Sequence, residues 1–221
     1  MKDSLILVNM KNGNDLSEFL INEGQNKIGL ALTEIISHFN NIISIEDIAY
    51  LWDYIRKNFS KDENNSVEKF FRTSEEIAES KIWSGCSDLG TLIAPILREL
   101  AVPTIYLQCA SLDWIEELVN NGAKKNMVIG HIFLEIYLDK KWILFDSTNG
   151  EVYTDYDYSN YSLPKNYYVF SKSLNGHQVG CINLQENNRI MKKTFNNFDI
   201  NKYNEPNYSK IDLRVFLKKV E

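Results

Sequence analysis

Cys86 stands in the stretch SGCSDLG, directly before a segment with the apolar spacing of a helix. A cysteine is a strong nucleophile only as its thiolate, and a helix N-terminus favours that anion because its free backbone N–H groups and dipole point toward it. A nearby imidazolium adds to this effect, and together they bring cysteine pKa values down to roughly 3.5 to 7.5. Cys86 is therefore a candidate nucleophile, whereas Cys109 and Cys181, in apolar strand-like runs, are typical of buried, unreactive thiols.

The imidazole that such a thiol needs is predicted at His131, which opens the strand-like run HIFLEIYL. Asp146 ends the next run, KWILFD, and the intervening Asp139 and Lys140 are typical of a tight hairpin. In an antiparallel hairpin with its turn there, positions 131 and 146 lie at the same open end, so their side chains can meet. A carboxylate in that place fixes the tautomer and orientation of the imidazole. The spacing thus predicts a Cys-His-Asp triad for acyl transfer.

Helices are predicted in the N-terminal half of the chain. Residues 15 to 59 have helical character, and in SIEDIAYLWDYIRKNF Ser44 and Asp47 form a capping pair ahead of an apolar stripe. TSEEIAES predicts a short helix, and residues 89 to 100 predict a longer one. Pro95 inside the longer helix removes one backbone hydrogen bond, and we expect a kink there.

Short runs rich in β-branched and aromatic residues follow Pro103 and predict strands. Besides the two runs of the hairpin, they are TIYLQC, YYVF (167–170), VGCINL (179–184) and KIDLRVFLKKV. Helices come first and strands follow, with hairpin connections. This order predicts an α+β fold in which a helical N-terminal half packs on an antiparallel sheet, with the active cleft at the seam.

These motifs resemble the transglutaminase-like superfamily, a branch of the papain-like cysteine enzymes, in its bacterial form. The resemblance rests on IAYLWDYIRKNF, RTSEEIAESKIWSGCSDLGTLIAPILRELAVPTIYL and GHIFLEIYLDKKWILFDSTNG, within residues 44 to 184. It implies that Cys86 is the nucleophile, His131 the general base and Asp146, in FDST, the orienting aspartate of a D-x-T pattern. It also implies that three further residues are structural: Asp88, Arg98 and Trp142.

The resemblance also implies a single domain. Residues 44–221 are expected to form the transglutaminase-like core, with residues 1–43 as a helical segment packed on it. Two departures accompany it: Ser84 stands where many relatives have glycine two positions before the cysteine, and LAVP replaces LGIP after the helix. The first departure bears on access to Cys86 and on the local N–H geometry, and neither removes a catalytic group.

Three functions are consistent with this resemblance. Hydrolysis of a peptide or protein substrate, by a peptidase or amidase, is the one that the bacterial members imply. An amine in place of water as the second nucleophile would make the protein a cross-linking transglutaminase. A binding module that kept the fold and lost turnover is the third.

The composition excludes several other classes of protein. A net charge of −6 and a pI near 5.2 argue against a nucleic-acid partner, which needs a concentrated basic face. The apolar run from Leu5 to Val8 is too short for a signal-peptide core or a membrane span, so we expect a cytoplasmic protein without a membrane partner. Three widely spaced cysteines predict neither a disulfide framework nor a zinc site. No cofactor, metal or calcium site is expected, and the oligomeric state is left open.

Three further side chains are candidates for substrate or oxyanion contacts. The apolar stripe favours core packing for Trp52, whereas the resemblance implies an oxyanion-stabilising indole in that region. Trp83 could form a cleft wall, and His177 could contact substrate. The backbone N–H of Cys86 is the more secure oxyanion donor, because a helix start supplies it without a side chain. A zinc site built from the triad residues is chemically possible, but no CxxC or HExxH element supports it.

Overall fold

A computed structural model describes residues 6–7, 15–64, 67–122 and 129–218, with only the backbone given for 6–7. The helices, in chain order, are α1 (Leu30–Ile36), α2 (Ile45–Asn58), α3 (Ser74–Ser80), α4 (Cys86–Glu99), α5 (Leu112–Asn121), α6 (Leu184–Phe195) and α7 (Arg214–Leu217). None of these helices is long and apolar enough to cross a bilayer.

The strands, again in chain order, are β1 (Ile6–Leu7), β2 (Ser60–Lys61), β3 (Ile82–Trp83), β4 (Thr104–Ser111), β5 (Gly130–Leu138), β6 (Lys141–Asp146), β7 (Glu151–Thr154), β8 (Ser162–Leu163), β9 (Tyr167–Ser173) and β10 (Ser209–Asp212). The large sheet has the order β1-β9-β4-β5-β6-β7-β10, and β8 pairs with β9. It is antiparallel except that β1 runs parallel to β9. The predicted α+β class is therefore confirmed.

The helices α1 to α4 pack together on one face of the sheet, against β5. The apolar stripe of α2 is buried as its spacing predicts, and Ser44 and Asp47 form the expected capping box at its start. The helix α4 lies closest to the sheet. A Cβ atom on Gly90 would lie 2.7 Å from Ile132 and 2.8 Å from the ring of Tyr106, so only glycine permits this approach.

The helix α4 runs without interruption through Pro95. Proline has no N–H, so the carbonyl of Thr91, four residues earlier, loses its helical partner. The buried side chain of Asn26 donates to that carbonyl at 3.0 Å. A side chain from a distant segment thus replaces the missing bond and holds the helix together.

The hairpin predicted around Asp139 and Lys140 is present. Both residues have positive φ, 48° and 61°, as a two-residue turn of type I′ requires, and β5 pairs with β6 from Leu138 and Lys141 onward. This turn sets the register that brings the far ends of β5 and β6 together.

Several predicted elements differ in the structure. Residues 15 to 44 form 3₁₀ turns and the short α1 rather than a long helix. The strand predicted over 179–184 is wrong, because Gly180 takes a left-handed conformation (φ 82°) and Asn183 caps α6 by accepting from the N–H of Glu186. The last predicted strand ends at Asp212, whose side chain accepts from the N–H of Arg214 and starts α7. Parts of the predicted N-terminal segment (1–5 and 8–14) and of the last strand (219–220) lie outside the described residues.

Candidate active site

Cys86 lies in the first turn of α4. The helix begins at this residue, and its N-cap, Gly85, has no side chain that could cap the free N–H groups. The buried carboxylate of Asp88 accepts from both the N–H and the hydroxyl of Ser84 at 2.7 Å and pairs with Arg72 at 2.5 Å. These contacts fix the segment before the thiol, and the N–H groups of the first turn of α4 receive no side-chain cap.

His131 lies between the thiol and the aspartate. Its Nε2 is 2.9 Å from Oδ1 of Asp146, and His131 borders the same cleft as Cys86. The ring stacks on Tyr167, with the centroids 5.4 Å apart, and meets the edge of Phe133 at 4.8 Å. These aromatic contacts restrict the orientation of the imidazole ring.

The charge of this site favours an imidazolium. Burial alone would lower the pKa of His131, but the hydrogen bond to Asp146 and the interactions with Cys86 raise it to about 10. Burial would likewise raise the pKa of Asp146, but hydrogen bonds from His131 and Asn149 and the charge of Lys165 hold it well below its ordinary value. The arrangement therefore stabilises a charged pair between His131 and Asp146.

The carboxylate of Asp146 is fully buried and receives donors on both oxygens. Oδ1 accepts from the N–H groups of Thr148 (3.2 Å) and Asn149 (3.1 Å), and Oδ2 accepts from the Asn149 amide (2.7 Å) and from Nζ of Lys165 (3.1 Å). Lys165 also pairs with Glu151. Our sequence interpretation missed Asn149 and Lys165, although an asparagine three residues after an aspartate was a visible signal for the former.

The other predicted candidates lie at different places. Trp52 is buried, and its indole N–H donates to the carbonyl of Ser147 at 2.8 Å, so it anchors the turn after Asp146. Gly150 in this turn has φ 67°, and a Cβ atom there would lie 2.5 Å from the Trp52 ring. Trp83 is buried in the helical core, with the guanidinium of Arg56 4.9 Å from its ring centroid.

His177 supports the rim of the site. Its Nε2 lies 2.9 Å from the carbonyl oxygen of Phe70, which has a left-handed backbone (φ 67°) and borders the cleft at Cys86. Gln25 also donates to that carbonyl, at 3.4 Å. His177 thus contacts the wall of the cleft through Phe70.

The three cysteines differ in burial and in their access to the cleft. Burial raises the pKa of Cys109 well above its ordinary value and that of Cys181 to about 11, while Cys86 is half-buried and borders the cleft. Across the described part of the chain, no group of three His, Cys, Asp or Glu side chains has a metal-binding arrangement.

Gly130, the residue before His131 on β5, is predicted to be required for stable packing of β5 against β4. A Cβ atom there would lie 2.6 Å from the backbone oxygen of Cys109, which cannot move without displacing β4. We expect Gly130→Ala to lower the free energy of unfolding by about 1–3 kcal/mol, measured in urea. Gly176→Ala is the control, since its Cβ would meet only ordinary contacts from 3.4 Å outward. Equal stability of the two variants would contradict the prediction.

The α+β fold, with helices packed on a largely antiparallel sheet, is shared with a protein of known structure. A crystal structure of a candidate cysteine protease from Cytophaga hutchinsonii is similar, with a TM-score of 0.50 and 15% sequence identity. The similarity covers 77% of this chain, which spans 50% of the length of that protein. No protein-family model matches the chain, and no curated protein matches it. At this level of identity the comparison shows the shared α+β fold alone.

Proposed function

We propose that the protein is a transglutaminase-like cysteine peptidase or amidase that hydrolyses a peptide or protein substrate through Cys86, His131 and Asp146. The observation that carries this proposal is that His131 hydrogen-bonds the buried Asp146 and borders the same cleft as Cys86. A helix start, an imidazole and a buried carboxylate in this order are the elements of an activated thiol nucleophile.

The chemistry follows from these positions. The Cys86 thiolate attacks the substrate carbonyl carbon, and the resulting oxyanion lies near the N–H groups at the start of α4. The imidazolium of His131 gives its proton to the departing amine as the C–N bond breaks, which leaves a thioester on Cys86. His131, now neutral, takes a proton from water as the water attacks the thioester. The acid product leaves, and the thiolate and imidazolium are restored.

Asp146 acts through His131. Its hydrogen bond to Nε2 keeps the other ring nitrogen, Nδ1, directed away from the carboxylate and available to Cys86 and the substrate. Since the donors from Thr148, Asn149 and Lys165 occupy the rest of the carboxylate, Asp146 stays ionised and holds one orientation. No calcium or other cofactor takes part in the proposed reaction.

The pH dependence of alkylation at Cys86 tests the proposal. Iodoacetamide labelling, located by peptide mass spectrometry, should be rapid at pH 6 in the wild type, because His131 stabilises the thiolate. It should fall by roughly tenfold or more at that pH in His131→Ala, because the imidazolium is gone.

Cys109 and Cys181 are internal controls, since both are buried and should stay unlabelled in the folded protein. Labelling of Cys86 that rises only above about pH 8, and that ignores the His131 substitution, would overturn the catalytic proposal in favour of a binding module. Product analysis with an added primary amine then separates hydrolysis from cross-linking.

A further inference from the structure

The cleft that opens at Cys86 and His131 continues beyond them into the protein. It has a volume of about 270 Å³, which suits one amino-acid side chain of a substrate better than a further length of its peptide chain. Its floor is formed by the sheet, with Phe170 of β9, and its far wall by α6, with the apolar side chains of Leu184 and Met191. The described lining includes no carboxylate, and Lys69 at the rim is its one permanent charge.

Two neutral amides stand inside this apolar lining. Gln108 on β4 is 1% exposed and Asn187 on α6 is 6% exposed, and both border the cleft. The hydroxyl of Ser171 donates to Oε1 of Gln108 at 3.3 Å, and Nε2 of Gln108 donates to Oδ1 of Asn187 at 3.3 Å. This chain of bonds sets the orientation of both amides, because each acceptor oxygen already faces a donor.

In this orientation the amide nitrogen of Asn187 is the group that can donate to a ligand in the cleft. Its acceptor within the described structure is the thioether sulfur of Met191, 3.4 Å away. A thioether is a weak acceptor, so an oxygen atom brought into the cleft would form a stronger bond with the same N–H group. A buried, oriented donor with a weak partner is what a polar specificity contact requires.

We propose that this cleft is a specificity subsite for an uncharged substrate side chain that ends in an oxygen acceptor, with Asn187 as its donor. The proposal rests on the proposed function and assigns this cleft, which borders Cys86 and His131, to the side chain of the residue whose carbonyl is attacked. A charged side chain is disfavoured because it would lose its hydration among apolar walls: the described lining offers no carboxylate to a basic side chain and only Lys69, at the rim, to an acidic one. An apolar side chain fits the walls but leaves the Asn187 donor unmatched.

Peptidyl chloromethyl ketones that differ only in the residue carrying the ketone test this subsite. In each, the Cys86 thiolate attacks the methylene carbon, a C–S bond forms, the C–Cl bond breaks and chloride leaves. We compare N,N-dimethylglutamine, whose carbonyl is an acceptor, with norleucine, glutamate and lysine. Wild-type labelling should be roughly 5- to 10-fold faster with dimethylglutamine than with norleucine, and slowest with the two charged side chains.

Variants of Asn187 should change this order in a defined way. Asn187→Leu should favour norleucine over dimethylglutamine, and Asn187→Asp, which keeps the size but removes the donor and adds a negative charge, should favour lysine over glutamate. Gln185→Leu is the matched control, because Gln185 is exposed on the same helix and does not line the cleft. The iodoacetamide rate at Cys86 reports whether each variant keeps an intact thiol environment.

The outcomes separate this inference from the proposed function. Equal rates for the four ketones after correction for the iodoacetamide rate, or an unchanged order in both Asn187 variants, would overturn the subsite. Loss of the low-pH iodoacetamide reaction would overturn the proposed function instead. Ketone labelling repeated at pH 8.5, where an ordinary thiol reacts, still measures the selectivity of the cleft in that case.

Discussion

Cys86→Ser should lower kcat/KM on any peptide that the wild type hydrolyses by about 10³-fold or more, with the folded structure retained. A serine hydroxyl attacks only when a neutral imidazole takes its proton. The site instead favours the charged imidazole, because the buried carboxylate of Asp146 and its hydrogen bond raise the pKa of His131. A site of this kind suits a thiolate, which has no proton to give up, and does not suit a hydroxyl.

Fluorogenic peptide mixtures measure this effect, with product formation followed at equal enzyme concentrations. The replacement of sulfur by oxygen at the half-buried position 86 leaves the packing of α4 unchanged, so the thermal midpoint should stay close to that of the wild type. Hydrolysis by the serine variant within about tenfold of the wild-type rate would show that another group is the nucleophile.

The candidate triad could be predicted from sequence because each of its members carries a local signal. The spacing of the helix after Cys86 and the turn residues Asp139 and Lys140 are short-range patterns, and the hairpin alone brings His131 toward Asp146. A tight turn fixes the pairing register, so no knowledge of the remaining fold was needed for these two residues.

The groups around the triad were not predictable in this way. Lys165 reaches Asp146 from the turn between β8 and β9, and Asn187 reaches the cleft from α6. Both positions depend on long-range packing. The sequence around Asn183 was interpreted as a strand because VGCINL is short and apolar, whereas the left-handed Gly180 and the capping Asn183 decide the local structure.

Trp52 shows how one residue fits two interpretations until its partner is known. Its place in an apolar helical stripe predicted core packing, and an indole N–H in this region also suited an oxyanion. In the structure that N–H donates a hydrogen bond to the carbonyl of Ser147, next to Asp146. The helix α2 therefore contributes to the site by holding the turn that carries the aspartate.

Asp146→Ala should lower the free energy of unfolding at pH 7 by about 3–5 kcal/mol, because it removes one partner of a buried charged network. The carboxylate is fully buried, and its loss leaves His131 and the N–H groups of Thr148 and Asn149 without this acceptor and Lys165 with Glu151 alone. Asp146→Asn keeps one oxygen acceptor, so its free energy of unfolding should fall by less than that of Asp146→Ala. Asp212→Asn is the matched control, since its pair with Arg214 is exposed and should contribute less than about 1 kcal/mol.

The pH dependence of this difference tests the charge of Asp146 itself. Folding lowers the pKa of the carboxylate below the ordinary aspartate value of about 3.9, so its stabilising contribution is complete above about pH 5 and is lost as the pH falls toward the lowered pKa. The asparagine variant has no such proton to bind. The gap in unfolding free energy between the wild type and Asp146→Asn should therefore narrow steadily from pH 5 to pH 3 in urea titrations. A gap that stays constant over this range would mean that folding leaves the pKa of Asp146 at its ordinary value, which contradicts the prediction. A gap that widens as the pH falls would mean that the carboxyl is protonated in the folded protein, and His131 would then lack the partner that keeps it an imidazolium.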